Sequence, residues 1–115
     1  MRKTYVVSAK RSAIGSFLGS LTTVKPVDLG ATVVKALLED GKVAPEQVDE
    51  LLCGNVLSAG LGQNIGRQVA LAAGIPESVC SHSVNMVCGS GLRTVMEGVM
   101  SIQTGFNDIV VAGGV

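Results

Sequence analysis

Four short strand-like runs alternate with three segments of helical period, and this alternation limits the chain to a small set of folds. The strand-like runs cover residues 4–8, 51–57, 79–87 and 109–112, and the helical segments cover residues 26–40, 64–74 and 89–105. Such alternation is typical of α/β proteins whose strands pair in parallel. The run from Ile109 to Ala112 is apolar throughout, as expected for a strand that crossover helices bury on both faces. The sequence therefore predicts an α/β fold with a parallel sheet.

The predicted helices carry start and stop signals. Pro26 suits the first turn of the first helix, and Gly41 stands where a left-handed C-terminal cap is expected. A one-turn helix is predicted to start at Pro45. Asn64 is predicted to cap the second long helix, which ends at Gly74.

Apolar residues mark one face of several of these elements. In the first helix they are Leu29, Val33, Ala36 and Leu37, and in the last helix they are Leu92, Val95, Met96, Val99 and Met100. Stripes of this kind are typical of helices that bury one face. In the run 79–87 the predicted apolar face holds Cys80, Val84 and Met86, and the opposite face holds Ser81, Ser83 and Asn85.

Composition and charge exclude several function classes. Of the 115 residues, 47% are apolar and 16% are charged, which predicts one globular domain or part of one. The formal net charge is zero and aromatic residues make up only 3%, so the basic face and stacking platforms of a nucleic-acid binder are missing. No apolar run is long enough to span a bilayer, and no secretory signal is present. We therefore expect a cytoplasmic protein without a membrane or nucleic-acid partner.

Three cysteines and one histidine are the candidates for reactive side chains. Cys53, Cys80 and Cys88 form an odd set without C-x-x-C spacing, which argues against a disulfide framework and against a metal site. Cys53 and Cys80 lie within apolar strand patterns, and packing is the predicted role of both. His82 is predicted to be structural, because no acid or ligand stands near it in the pattern.

Cys88 lies where the spacing of apolar residues changes from a period of two to a period of 3.6 residues, at the predicted turn from a strand into a helix. The N-terminus of a helix presents free N–H groups and a partial positive charge, which favour a thiolate and can hold an oxyanion. Gly89 is expected to let a substrate approach, Ser90 to satisfy a first-turn donor, and Gly91 to permit close helix packing. Cys88 is therefore either a nucleophile or a small buried residue before a helix.

A resemblance favours the nucleophile. The segment Asn85-x-x-Cys88-Gly-Ser-Gly-Leu92 resembles the nucleophile motif of the thiolase family. Other segments that resemble the family, in order, are Ser8-Ala9-x-Arg11, Ile14-Gly15-Ser16-Phe17, Asp28-Leu29-Gly30, Gly54-Asn55-Val56-Leu57, Gly60-x-Gly62-Gln63-Asn64-x-x-Arg67-Gln68 and Val110-Val111-Ala112-Gly113-Gly114. The similarity covers the whole chain. It implies a thiolase-like fold, of which residues 1–115 form the N-terminal part of the first β-α-β-α-β half, without the loop domain and the C-terminal domain.

The resemblance also implies a reaction. Cys88 is expected to take an acyl group from an acyl-CoA, and a second acetyl-CoA then condenses with it to give acetoacetyl-CoA, or thiolysis runs in reverse. Coenzyme A thioesters are thus expected as substrates, with no cofactor and with no CoA-binding residue assigned. The activating histidine and a second catalytic cysteine of the family lie in its C-terminal half, so the chain alone is expected to be inactive. A homo-oligomer, a dimer of dimers, is expected, pairing through the run 79–87.

Four alternatives remain. A degradative 3-ketoacyl-CoA thiolase would use the same nucleophile, and ketoacyl synthases also place a cysteine at such a turn but use an acyl carrier protein. Gly60-x-Gly62-x-x-x-Gly66 could form a dinucleotide loop, although no acidic residue follows at the usual distance. The chain by itself could also be a non-catalytic folding or association fragment.

Overall fold

The computed structural model describes all residues from 1 to 115. The helices are α1 (Pro26–Gly41), α2 (Ile65–Ala72) and α3 (Ser90–Gln103), and a short 3-10 helix covers Pro45–Gln47. The strands are β1 (Glu50–Gly54), β2 (Cys80–Val84) and β3 (Val110–Gly114). These elements confirm the predicted order from the first helix onward, although β1 starts one residue before the predicted run 51–57 and ends three residues before its end, and β2 is shorter than the predicted run 79–87.

The three strands form one parallel sheet in the order β2-β1-β3. Glu50 at the start of β1 lies opposite Cys80 of β2 and Val110 of β3, so the three carboxyl ends meet at one edge. Residues 51–54 of the central strand are buried, whereas in β3 only Val111 is fully buried. The α/β prediction is thus confirmed, and the expectation that both faces of β3 are buried is wrong.

The helix caps agree with the sequence signals at one site and differ at another. Asn64 caps α2 as predicted, because its Oδ1 accepts a hydrogen bond from the N–H of Arg67 at 3.2 Å. At the end of α1 the left-handed residue is Lys42 (φ 53°) instead of Gly41, and its N–H donates to the carbonyl of Glu39. The predicted cap was therefore placed one residue too early.

The hydrophobic core lies where α1 and α2 pack together over β1. Its members are Ala31, Val34, Leu38, Val48, Leu51, Cys53, Ile65, Val69, Ala70, Ala73, Ile75 and Val111. The predicted packing role of Cys53 is confirmed, since the residue is 5% exposed. In α1 the buried face is Ala31, Val34 and Leu38, so the predicted stripe is offset from it.

The helix α3 turns a different face to the sheet from the one that its apolar stripe predicts. Its buried residues are Ser90, Thr94 and Gly98, whereas Leu92 is 69% exposed and Met96 is 50% exposed. A Cβ added to Gly98 would lie 3.2 Å from the side chain of Val110, so the helix backbone approaches the strand closely. Small residues at spacing i, i+4, i+8 allow this contact, and Leu92, Met96 and Met100 remain exposed.

The segment 4–8, predicted as a strand, pairs with no other strand. Tyr5, Val6 and Val7 are exposed, and a groove of about 550 Å³ lies between this segment and its neighbours. Residues 4–12 line the groove together with one side of α1 and residues 109–115. The strand prediction is therefore wrong for this structure, because no neighbouring strand provides the hydrogen bonds that define a ladder.

The same segment is fixed to the end of α1 through Asp40. Ser8 Oγ donates to Asp40 Oδ2 at 2.7 Å, and Lys10 Nζ lies 3.4 Å from Asp40 Oδ1. The hydrogen bond from Ser8, followed by the charge of Lys10, holds the pKa of Asp40 below its ordinary value. The contact therefore favours the folded state at neutral pH and is lost as the pH falls through that lowered value.

None of the helices has the length and apolar character needed to cross a membrane.

The outer face of α3 provides a first test of the packing. We expect Met96→Lys to change the free energy of unfolding by less than about 0.5 kcal/mol, because the side chain is half exposed. Thr94→Lys, two residues away, is expected to unfold the chain, since Thr94 is 0% exposed and a buried unpaired charge is costly. Urea unfolding followed by circular dichroism measures both. Equal losses in the two variants would contradict this orientation of α3.

Candidate active site

The turn between β2 and α3 is closed by a compact set of hydrogen bonds. Asn85 Oδ1 accepts from the N–H of Val87 at 3.0 Å, and the N–H of Gly89 donates to the carbonyl of Met86 at 3.0 Å. The Ser90 hydroxyl accepts from the N–H of Met86 at 2.8 Å and donates to the carbonyl of Val87 at 2.6 Å. Ser90 thus fixes the turn, whereas the sequence predicted that it would satisfy a donor of the helix itself.

The residue immediately before Cys88 has an unusual backbone conformation. Val87 has φ 50°, in the left-handed region that β-branched residues rarely adopt. Such conformations cost about 1–3 kcal/mol, and they concentrate at active sites, where the surrounding structure holds them. Here the N–H of Val87 donates to Asn85 Oδ1 and the carbonyl of Val87 accepts from the Ser90 hydroxyl, and these two hydrogen bonds hold the residue. The turn therefore contains one strained residue, Val87, and such residues are common at functional sites.

Cys88 follows this strained residue at the start of α3. Its side chain is exposed, and Gly89 is the N-terminal cap residue of the helix. The N–H groups of Gly91 and Leu92 donate to no acceptor in the chain, as expected for the first turn of a helix. The structure thus exposes the thiol of Cys88 one residue before the N-terminal cap of α3, and it does not support the alternative of a buried structural cysteine.

Close packing under this turn depends on Gly54 instead of Gly91. A Cβ on Gly91 would meet nothing within 4 Å, so the predicted packing role of Gly91 is wrong. A Cβ on Gly54 would lie 2.6 Å from the Gly91 nitrogen and 2.6 Å from the Ser90 carbonyl carbon. The end of β1 therefore touches the first turn of α3 through bare backbone. In the sequence, the only sign of this close contact was the Gly54-Asn55 pair at the end of the predicted strand.

The other candidate side chains lie away from this turn, along the strands. Burial raises the pKa of the Cys53 thiol, so Cys53 stays neutral. Cys80 is exposed on the edge strand β2, and the predicted packing role of Cys80 is wrong because no element covers that edge. His82 Nδ1 lies 3.6 Å from Glu50 Oε1, and its Nε2 lies 3.7 Å from Glu97 Oε2. Two acids therefore stand near His82, contrary to the expectation from the sequence.

Three N–H groups in the first turn of α2, which follows the glycine loop, already have acceptors. The N–H of Gly66 donates to Ser83 Oγ at 2.9 Å, and the N–H of Arg67 donates to Asn64 Oδ1. The N–H of Gln68 donates to the carbonyl of Asn64. Because phosphate binding at a helix start needs these groups unpaired, the geometry argues against a dinucleotide site. No three His, Cys, Asp or Glu side chains are grouped to hold a metal ion.

Differential alkylation tests this placement of the thiols. We expect iodoacetamide at pH 8 to modify Cys88 and Cys80 in the folded chain and to spare Cys53, whose buried thiol is neutral and inaccessible. Peptide mass spectrometry, with a denatured sample as the control in which all three react, measures the three sites separately. Modification of Cys53 as fast as Cys88 under native conditions would show that the core assignment is wrong.

Comparison with known proteins assigns this geometry to a family. Residues 4–115 match the family described as thiolase, N-terminal domain. The acetyl-CoA acetyltransferase of Escherichia coli is 52% identical over 114 residues, which cover 99% of this chain and 29% of the relative. The cytosolic acetyl-CoA acetyltransferase of Rattus norvegicus is 53% identical over 109 residues, 95% of this chain and 28% of the relative. The chain thus spans less than a third of the length of these relatives.

A solved structure shows the same arrangement. The Acat5 thiolase from Ascaris suum, crystallised with coenzyme A, superposes with a TM-score of 0.92 at 40% identity and covers 96% of this chain and 29% of that protein's chain. The thiolase-like fold that the sequence predicted is therefore confirmed. The family match covers nearly every residue and includes the turn that carries Cys88. The chain belongs to the thiolase family.

Proposed function

We propose that the chain is the N-terminal part of an acetyl-CoA acetyltransferase in which Cys88 carries the acyl group as a thioester. The observation that carries this proposal is the exposed Cys88 thiol at a strained turn that leads into the first turn of α3. Relatives about half identical over this segment bear that name. Because the chain spans less than a third of their length, the activity belongs to the complete enzyme.

The proposed reaction has two half-reactions. The sulfur of Cys88 bonds to the acetyl carbonyl carbon of acetyl-CoA, and the CoA sulfur leaves and takes up a proton. The N–H donors near Cys88 stabilise the oxyanion formed in between. A second acetyl-CoA then loses a proton from its α-carbon, which bonds to the acyl carbon while the bond to Cys88 breaks. The product is acetoacetyl-CoA, and the reverse sequence is thiolysis.

The proton transfers of this scheme need groups outside the chain. By resemblance to the family, a histidine and a second cysteine of the C-terminal half perform them. The 115-residue chain alone is therefore inactive in our proposal, and no cofactor takes part. The degradative alternative, a 3-ketoacyl-CoA thiolase, shares Cys88 and differs in chain length of the substrate. The names of the relatives favour the short-chain acetyltransferase.

The free edge of β2 supports a proposal about assembly. β2 is the outer strand on its side of the sheet, and Cys80, His82 and Ser83 on it are exposed. An unpaired strand edge is a site for pairing with another chain. We assign this edge to a second copy within a dimer of dimers. A cytoplasmic location is supported by the rat relative, which is named cytosolic.

Product formation tests the proposed activity. The complete enzyme is incubated with acetyl-CoA, and acetoacetyl-CoA and free CoA are quantified by liquid chromatography. We expect the two products in equal amounts. Thiolysis of 3-ketoacyl-CoA substrates of increasing chain length distinguishes the degradative alternative. That alternative predicts a higher kcat/KM for long 3-ketoacyl-CoA than for acetoacetyl-CoA. Absence of both condensation and thiolysis would overturn the proposal.

A further inference from the structure

The Ser90 hydroxyl is the one side-chain group that hydrogen-bonds to both residues before Cys88. It accepts from the N–H of Met86 at 2.8 Å and donates to the carbonyl of Val87 at 2.6 Å. The backbone N–H of Ser90 donates to the same carbonyl at 3.2 Å. Ser90 is buried, so these hydrogen bonds are shielded from water. Three hydrogen bonds therefore connect one residue of α3 to the segment that presents the thiol.

The position of Ser90 is itself fixed by the packing of α3 on the sheet. Thr94, one helical turn further along, is fully buried. Its Oγ1 lies 2.6 Å from the carbonyl oxygen of Gly91 and 3.1 Å from that of Gly113 in β3. The backbone of Gly54 in β1 touches Ser90 and Gly91 as well. The start of α3 is thus held by two strands, and Ser90 provides a fixed point for the turn before it.

Val87 depends on this fixed point because its backbone conformation is unfavourable. Its φ of 50° lies in the left-handed region, where the branched Cβ of valine crowds the backbone. A residue stays in such a conformation only where its surroundings hold it. Of the three hydrogen bonds to Val87, two come from Ser90, and the third comes from Asn85 within the turn itself. Ser90 therefore ties the strained residue to the helix.

Relaxation of Val87 to a negative φ would displace the thiol. On one side of the turn β2 is held by its pairing with β1, and on the other side α3 is held by the contacts of Thr94 and Gly54. A rotation at Val87 must therefore be absorbed between residues 85 and 90, and Cys88 lies inside this range. The rates of reactions between oriented groups are sensitive to displacements of about 1 Å.

We propose that Ser90 is a positioning residue for the acylation of Cys88. Its hydroxyl holds Val87 in the left-handed conformation and thereby fixes the direction of the Cys88 side chain. Because Ser90 is buried, it acts through Val87 and does not touch the substrate. The inference rests on the proposed function, because it concerns the transfer of the acyl group to Cys88.

The test is a double-mutant cycle in the complete enzyme. Ser90→Ala removes the hydroxyl and keeps the backbone hydrogen bond, whereas Val87→Gly removes the steric cost of the left-handed conformation. Ser101→Ala is the matched control, since Ser101 Oγ accepts from Asn107 Nδ2 at 2.7 Å near the far end of the same helix. Single-turnover acylation of Cys88 by acetyl-CoA, kcat and KM are measured for each variant and for Ser90→Ala combined with Val87→Gly. All are compared at a temperature where circular dichroism shows them folded.

We expect Ser90→Ala to lower the acylation rate and kcat by about 10- to 100-fold, with KM within about threefold, because a small misplacement of a reacting group has effects of this size. Val87→Gly alone is expected to stay within about fivefold of the wild type, and adding Ser90→Ala to it is expected to cost less than about fivefold, since glycine populates positive φ about as readily as negative φ. Ser101→Ala is expected to keep the wild-type rate.

Each outcome separates the inference from the proposed function. An acylation rate in Ser90→Ala within about twofold of the wild type would overturn the positioning role, as would an equal loss in Ser101→Ala. Equal losses from Ser90→Ala in the two backgrounds would show that Ser90 does not act through Val87 and would overturn it too. A Val87→Gly variant as slow as Ser90→Ala would count against it in the same way, because the left-handed conformation would then not be sufficient.

Folding of the variants is also decisive. If Ser90→Ala alone fails to fold, the combined variant is expected to fold and to be acylated within about fivefold of the rate of Val87→Gly. Failure of both to fold would show that Ser90 stabilises the protein by other contacts and would contradict the inference. If the wild-type enzyme forms no acyl-Cys88, the proposed function itself fails.

Discussion

Gly54→Ala is expected to destabilise the protein by about 2–4 kcal/mol, the largest effect that we predict for a single methyl group. The added Cβ would lie 2.6 Å from backbone atoms of Ser90 and Gly91, and backbone cannot move aside as a flexible side chain can. Relief of this overlap requires α3 to move away from β1. Denaturation by urea, followed by circular dichroism, measures the loss.

Gly91→Ala is the matched control for this substitution. Gly91 lies on the other side of the same contact, but a Cβ there would meet nothing within 4 Å. Because alanine is a better helix former than glycine, the variant is expected to be as stable as the wild type or more stable by up to about 1 kcal/mol. If both variants unfold at the same urea concentration, the close contact of β1 with α3 is not what requires glycine at position 54.

Cys88→Ala is expected to lower kcat of the complete enzyme by at least about 10³-fold, because loss of the nucleophile in other covalent enzymes has effects of this size or more. The variant should keep its stability, since the side chain is exposed. Cys80→Ala is the control, an exposed cysteine on the edge strand whose loss should leave kcat within about twofold. Condensing activity that survives in Cys88→Ala would contradict the assignment.

The order of the helices and strands could be predicted because its signals are local. Pro26 and Asn64 mark helix starts, and a change of period marks the turn at Cys88, so the bounds of α1, α2 and α3 follow from the sequence within a few residues. The strands β1 and β3 were predicted from apolar runs, and β2 from the alternation of apolar and polar residues, which are local signals too. Their exact lengths depend on where a neighbouring strand stops pairing, which the sequence does not show.

The buried face of α3 could not be predicted from its apolar stripe. Periodicity indicates which residues are apolar, but the contact is made where the backbones approach most closely, at Ser90, Thr94 and Gly98. The unpaired segment 4–8 has a similar cause. Its composition favours a strand, but a strand requires a partner, and a groove lies beside it instead.

Some features of the candidate site were predicted from the sequence and others were not. Cys88 and the helix start beside it were predicted from the motif and its local period. The conformation of Val87 was not, because a β-branched residue gives no sign that it adopts a positive φ. The contribution of Gly54 also escaped prediction, since Ser90 and Gly91, which it contacts, are more than 30 residues away in the sequence.

Acceptance of the acyl group by Cys88 can be observed directly. The most direct measurement is mass spectrometry of peptides from the complete enzyme after rapid acid quench with acetyl-CoA. We expect an acetyl group, with the mass and hydroxylamine sensitivity of a thioester, on the peptide that contains Cys88 and on no peptide that contains Cys53 or Cys80. An unmodified Cys88 peptide, or a thioester on either of the other cysteines, would contradict it.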